Sequence, residues 1–255
     1  MYIDTHAHLN FPEFKDDYEA VIQRAQEAKV SAIINIALDE EAIQFTLNLS
    51  HKYPKYIYSA AGIHPHDALL FDSTIEARLK TLSLEKQIVA IGEMGLDYFY
   101  KLAPEEIQKM AFQKQLSLAQ EVGLPAIIHS RDATKDTIEV LLKENHGNLK
   151  GVLHCFNGDK ELTEVALKLG LMFSFTGNIT FPKAEVIRKA AKEIPLENIM
   201  LETDCPFMAP QVFRGKRNEP VNVAIVADKI AELKGISVEE VARQTTLNAR
   251  QFFNI

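Results

Sequence analysis

Short runs of β-branched and aliphatic residues alternate along the chain with longer amphipathic stretches, and the alternation repeats eight times. It predicts strands at 2–4, 32–36, 57–62, 88–93, 125–129, 151–155, 171–175 and 199–201. The matching helices fall at 16–29, 39–52, 74–84, 104–121, 133–145, 160–169, 184–194 and 221–234, with a terminal helix at 238–253. Pro104 suits the first turn of its helix, where no intrahelical N–H bond is lost. Runs such as Ala-Ile-Ile-Asn-Ile at 32–36 and Gln-Ile-Val-Ala-Ile at 87–91 are almost wholly apolar rather than alternating. Strands of that kind belong to a parallel sheet covered on both faces. Eight strand–helix units with no low-complexity linker predict an α/β fold, one (β/α)8 TIM barrel over residues 1–255. The competing doubly wound open sheet is weakened by the lack of a Gly-x-Gly-x-x-Gly after the first strand.

Barrels of this type collect functional residues at the C-terminal ends of their strands. The first strand runs into His6 and His8, which on an extended chain share a face about 6–7 Å apart. The third ends in Gly62-Ile63-His64-Pro65-His66, and the fourth in Gly92-Glu93-Met94-Gly95-Leu96-Asp97-Tyr98. The fifth ends in His129-Ser130-Arg131-Asp132, the sixth in His154-Cys155 and the eighth in Glu202-Thr203-Asp204. Only the second and seventh lack a His, Asp or Glu. Six of the eight histidines thus fall at strand ends, while His51 and His146 lie in helical or helix-end contexts. Imidazoles mixed with carboxylates suit Zn, Mn, Fe or Co and, less comfortably, Mg. The strand-end histidines together with Glu93 and Asp204 are too many ligands for one tetrahedral ion with an open position. They suit two divalent cations sharing a bridging carboxylate and a bridging water.

Bulk properties narrow the setting. A composition of 47% hydrophobic and 25% charged residues is that of an ordinary globular protein. No run approaches the roughly 18 apolar residues of a membrane span, and the His-x-His lies too near Met1 for a cleavable signal, so a cytoplasmic protein with no membrane association is expected. The net charge of −7 argues against coating nucleic acid with a broad basic face but leaves room for local phosphate contacts. Cys155 and Cys205 have neither disulfide-framework nor zinc-finger spacing and are expected to be reduced and buried.

Taken together, Asp-Thr-His-Ala-His-Leu at 4–9, Gly-Ile-His-Pro-His at 62–66, Gly-Glu-Met-Gly-Leu-Asp-Tyr at 92–98, His-Ser-Arg at 129–131, His-Cys-Phe at 154–156, Leu-Glu-Thr-Asp at 201–204 and Arg-Gly-Lys-Arg-Asn-Glu-Pro at 214–220 resemble the TatD family of metal-dependent deoxyribonucleases. That family belongs to the amidohydrolase superfamily of distorted (β/α)8 barrels. The resemblance spans the whole chain in order. It implies that His6, His8 and Asp204 hold one ion, that His129 and His154 hold the other, and that Glu93 bridges them. It also implies cleavage of DNA stimulated by magnesium or manganese, often from the 3′ end. Cys205-Pro206-Phe207 departs from the serine or alanine, proline and tyrosine of many members, which would alter the wall beside Asp204.

The expected reaction is hydrolysis of DNA phosphodiesters by a metal-bridging hydroxide, exonucleolytic on single-stranded or frayed ends, since no duplex-reading motif is present. The cofactors are two divalent cations, Mg, Mn or Zn, and no obligate protein partner is expected. Asp204 is the candidate base as well as a ligand. Glu202, two residues earlier, would orient a ligand or relay the proton, beside Glu93. His64 would contact phosphate or act as the acid, with His66 a loop residue at the rim. Arg131 would present its planar guanidinium to phosphate. Arg214, Lys216 and Arg217 would bind the nucleic-acid backbone, and Tyr98 or Phe99 would stack on an unpaired base. Two other readings remain open: hydrolysis of a small amide, ester or lactone, and a non-catalytic metal- or protein-binding module.

Overall fold

A computed structural model describes all of residues 1–255. Strands β1 (Tyr2–Ala7), β2 (Val30–Ala37), β3 (Ile57–Ala61), β4 (Ile88–Asp97), β5 (Ala126–Arg131), β6 (Gly151–Leu153), β7 (Met172–Phe175) and β8 (Ile199–Leu201) pair in sequence order in one parallel sheet. Between and after them lie α1 (Tyr18–Glu27), α2 (Glu40–Lys52), α3 (Ser73–Leu82), α4 (Glu105–Val122), α5 (Thr134–Glu144), α6 (Lys160–Lys168), α7 (Glu185–Glu193), α8 (Val223–Lys234) and α9 (Val238–Phe253). This is the expected barrel, distorted at its seam. Beyond the ladder of β8, closure rests on a bridge between Ala7 and Cys205. There Asp204 N–H donates to the His6 carbonyl (2.9 Å) and His8 N–H to the Cys205 carbonyl (2.9 Å).

The helices form where the pattern places them, and their starts follow capping chemistry. Asp39, Asp72, Asp159 and Ser237 each accept a first-turn N–H with the side chain, satisfying donors that have no intrahelical partner. Only β8 keeps the limits the sequence predicts; most other strands shift by one to three residues, and β4 changes most. β1 runs on to Ala7, β6 stops at Leu153, and β4 continues four residues past Glu93 to Asp97. The glycines that read as a strand end in β4 instead permit close packing. Gly95 has φ +139°, and a Cβ there would lie 2.0 Å from the His129 carbonyl oxygen. A side chain at 95 would push β4 off β5 and separate Glu93 from His129.

The apolar core joins strands to helices: Ile33, Ile57, Ile91, Ile128, Leu153 and Phe173 pack with Phe112, Leu116, Val226 and Ile230. Two buried glutamines of α4 interrupt this apolar layer. Gln108 accepts from Asp97 N–H (2.8 Å) and donates to the Ala103 carbonyl (2.9 Å). Gln115 clamps both backbone groups of Ile63, at 2.8 and 3.0 Å. One helix thus fixes the loop that carries His64 and the end of β4 that carries Asp97, and losing either partner would strand buried polar groups at about 1–3 kcal/mol each.

Candidate metal centre and its cleft

Glu93 is the hub. Its Oε2 lies 3.3 Å from His6 Nε2, while its Oε1 lies 2.7 Å from His154 Nε2, 2.9 Å from His129 Nδ1 and 3.5 Å from His64 Nε2. The two oxygens of one carboxylate therefore serve two sets of imidazoles. Asp204 Oδ1 closes the first set, 3.5 Å from His8 Nε2 and 3.8 Å from His6 Nε2. Within each set the ring nitrogens face each other, His6 Nε2 to His8 Nε2 at 3.2 Å and His129 Nδ1 to His154 Nε2 at 3.1 Å. Lone pairs that close repel unless a proton or a cation lies between them. Donor atoms from His6, His8 and Glu93, from His6, His154 and Glu202, and from His64, Glu93 and His129 fall in tight overlapping groups. This donor set fits a binuclear divalent centre.

Supporting contacts explain how the donors hold their directions. Asp97 is fully buried; Oδ2 faces His129 Nε2 (3.3 Å) and His66 Nε2 (3.0 Å), while Oδ1 accepts from Phe99 and Tyr100 N–H. Glu202 Oε1 lies 3.5 Å from His154 Nδ1 and accepts from Cys155 N–H at 2.6 Å. Its Oε2 accepts from Ser174 Oγ at 2.6 Å. Asp4 accepts from Thr203 N–H (2.9 Å) and Thr203 Oγ1 (2.6 Å), pinning the residue before Asp204. Burial lifts the Asp4 carboxyl to about 8. Asn35 of β2 accepts from Leu9 N–H (2.7 Å) and donates to Thr46 of α2 (2.8 Å), fixing the backbone just after His8.

Burial and charge oppose each other throughout the cluster. Burial alone would raise Glu93, but His154, His64 and His129 override it and hold the carboxyl well below the usual carboxylate range. Asp204 is likewise held down against burial, by His8, His6 and His154. Burial would favour neutral His154 and His129, yet Glu93 with Glu202 lifts the first well above the ordinary imidazole range and Asp97 with Glu93 lifts the second. His6 and His64 stay below it, both because they are buried. Asp204 and Cys155 also adopt left-handed backbone conformations, with φ of +55° and +45°. Such conformations cost a non-glycine residue about 1 kcal/mol or more and cluster at functional sites.

Above the donors opens a cleft of ≈ 590 Å³, lined among others by His64, Arg131, Tyr100, Asn178 and Phe207. The Arg131 guanidinium lies over the rings of Phe99 (4.0 Å) and Tyr100 (4.9 Å). Tyr98 does not face this cleft, because its hydroxyl donates to Asp136 (2.7 Å). His66 lines this cleft, as expected of a residue at the rim, and its ring is tied to Asp97. Cys155, expected to be buried, is only half-buried and lines the cleft, whereas Cys205 is buried; neither forms a disulfide. Phe207 forms the wall beside Asp204, edge-on to Phe11 at 5.7 Å.

The basic stretch divides. Arg217 is bound to Asp17 and Glu219, Arg214 stacks on Phe181 (4.8 Å), and Lys216 is exposed near Phe213. None of the three lines the metal cleft. Sequence reasoning missed Asp4, Asn35 and Ser174. The available signal was a polar residue inside an apolar run, Asn in Ile-Ile-Asn-Ile and Ser in Phe-Ser-Phe.

Comparison with known proteins agrees with this geometry. The family model described as TatD related DNase matches residues 3–254. The metal-dependent hydrolase YabD of Bacillus subtilis (strain 168) is 44% identical over 255 residues, covering 100% of both chains. The 3'-5' ssDNA/RNA exonuclease TatD of Erwinia tasmaniensis is 36% identical over 257 residues, covering 99% of each. The crystal structure of YjjV, a TatD homologue from Escherichia coli K12, superposes with a TM-score of 0.92 at 33% identity, covering 100% of this chain and 98% of that one. No helix is long and apolar enough to cross a membrane. A barrel whose buried Glu93 is shared by two histidine sets, matched over nearly its whole length by that family model and those relatives, belongs to the TatD-related family of metal-dependent hydrolases.

Proposed function

We propose that this enzyme hydrolyses phosphodiester bonds of DNA, working on single-stranded or frayed ends in the cytoplasm, with residues 1–255 as one catalytic domain. The observation that carries this reading is the division of the Glu93 oxygens between two imidazole sets beneath an open cleft whose mouth holds the stacked guanidinium of Arg131. His6, His8 and Asp204 would hold one divalent cation, His129 and His154 the other, and Glu93 both. Such a pair, when bound, supplies an activated water and neutralises charge on the phosphoryl oxygens.

The chain's own groups do the rest. Asp204, kept ionised by its histidines, stands at the cleft to take the proton released by the attacking water. Glu202 sets its charge 3.5 Å from His154 Nδ1, and Asp97 pairs with His129 Nε2. His64, neutral because it is buried, borders both Glu93 and the cleft and is placed to contact a phosphate oxygen. Arg131, pre-oriented by two rings, offers a planar fork to a phosphate. The Erwinia relative's exonuclease name supports a nucleic-acid substrate.

The test is hydrolysis of labelled oligodeoxynucleotides with metal add-back after chelation, compared for wild type, Glu93→Ala and Asp204→Asn. Both variants should lose about a thousandfold in kcat/KM. Wild-type rates in both, or a higher kcat/KM on small esters, amides or lactones than on any phosphodiester, would overturn the reading.

A further inference from the structure

A second hollow, of ≈ 560 Å³, adjoins the metal cleft and shares Asn178 and Met208 with it. Its lining includes Phe181, Pro182, Lys183 and Arg214 and contains no carboxylate. In a chain of net charge −7, a cationic hollow with no acidic group in its lining is a selective place for an anion. Arg214 carries no ion pair or side-chain hydrogen bond, and its guanidinium is held over the Phe181 ring at 4.8 Å. One face of that plane is thereby fixed by protein while its N–H groups are free for phosphate. Between the two hollows, Asn178 donates from Nδ2 to Cys155 Sγ (3.7 Å), while its buried Oδ1 has no partner. An unpaired buried acceptor at this junction suits a donor from a sugar or a base.

From these features we infer that the Phe181–Arg214 hollow is a second nucleotide subsite, taking the phosphate and base next along the strand from the linkage held over Glu93. This rests on the nucleic-acid reading above and specifies it: the substrate is a chain of several nucleotides, and length is recognised by the loops after β7 and β8. Arg131 at the end of β5, with Phe99 and Tyr100 from the loop after β4, marks the cleft on its other side, so the strand would cross the donor cluster from one stacked arginine to the other.

The test measures binding of fluorescent, phosphorothioate-linked oligodeoxythymidylates of two and four nucleotides to the metal-loaded full-length protein. Wild type should bind the tetramer about tenfold more tightly than the dimer, the gain of one stacked and charge-paired nucleotide. That gain should disappear in Arg214→Ala and shrink in Phe181→Ala, with the melting temperature unchanged as evidence of folding. Equal wild-type affinity for the two lengths, or a gain that persists in Arg214→Ala, overturns the subsite while leaving the nuclease assignment standing. No binding of either oligonucleotide together with no cleavage of any would overturn both.

Discussion

Two charged networks tie the N-terminal segment of this protein to the loop after β8, and they are built on opposite principles. One, on the outer surface, joins Asp17, Arg24, Arg217 and Glu219. Arg217 grips both oxygens of Asp17 (2.7 and 2.8 Å), and Arg24 grips both oxygens of Glu219 (2.8 and 3.0 Å). Two guanidinium groups face two carboxylates, every partner is protein, and Arg24 and Asp17 remain 43% and 38% exposed. The other network surrounds Glu93, where His6 is 0% and Glu93 4% exposed and nitrogens face nitrogens at 3.1–3.2 Å. The first network is satisfied and needs nothing more. The second is buried and mutually repulsive until cations or protons enter it, and native sequences retain such conflict where it serves function.

The strongest way to sharpen this contrast is to alter a supporting group of the buried network without removing a central donor. Glu202→Gln keeps the size and the acceptor for Cys155 N–H but removes the charge facing His154 Nδ1. Metal affinity, read by competition with a chromophoric chelator, should fall about tenfold to a hundredfold, as for other outer partners of ligating histidines. Unchanged affinity would show that His154 needs no such partner.

A smaller effect per step follows from pH. Burial works to keep His154 neutral, but Glu93 and Glu202 hold it well above the ordinary imidazole value, so near neutrality the metal-free ring carries a proton that a cation must displace. Affinity should therefore fall as pH drops, about tenfold per unit for each proton released. Calorimetry in buffers of different ionisation enthalpy counts those protons. For metal-free stability the sign is opposite. A raised imidazole pKa stabilises fully below the unfolded value of about 6.5 and is lost as pH rises through the folded one. Added metal should raise the melting temperature more at pH 8 than at pH 6, and an equal shift at both would contradict the proton count.

The contrast also explains what could be read from the sequence. His6, His8, His64, His129, His154, Glu93 and Asp204 were legible because strand-end histidines and carboxylates are chemically conspicuous and the barrel rule gathers them on one rim. The extension of β4 to Asp97 was not legible. Gly92 and Gly95 carry the usual mark of a strand end, and only the approach of the Ile127 and His129 carbonyls shows that they serve packing. Arg217 could not be separated from Arg214 either. They are three residues apart in one basic motif, and what distinguishes them is Asp17 and Glu219 around the former and Phe181 beneath the latter. Partners remote in sequence decide which cation is free, and periodicity carries no information about them.

Arg217 gives the smallest effect and the cleanest contrast. Its guanidinium donates to Asp17, Glu219 and the Glu13 carbonyl and lies 4.7 Å from the centre of the Phe14 ring. Next to it, buried Asn218 donates to the Thr203 carbonyl (2.9 Å), so this network anchors the chain that leads out of Asp204. Arg217→Ala should cost about 1–2 kcal/mol, more than an isolated surface pair because a bidentate network and a stacking contact are lost together. In a protein of this size that lowers the melting temperature by roughly 2–8 °C. Asp17 and Glu219 are held below their ordinary values, the first by Arg217 and the second, against burial, by Arg24 and Arg217. The stability they contribute is present above about pH 4–4.5 and lost as pH falls through the folded values, so the difference between wild type and variant should narrow in acid. A strut of this kind moves stability and leaves the metal untouched. A large loss of metal affinity in Arg217→Ala with the melting temperature unchanged would place Arg217 in the functional network instead.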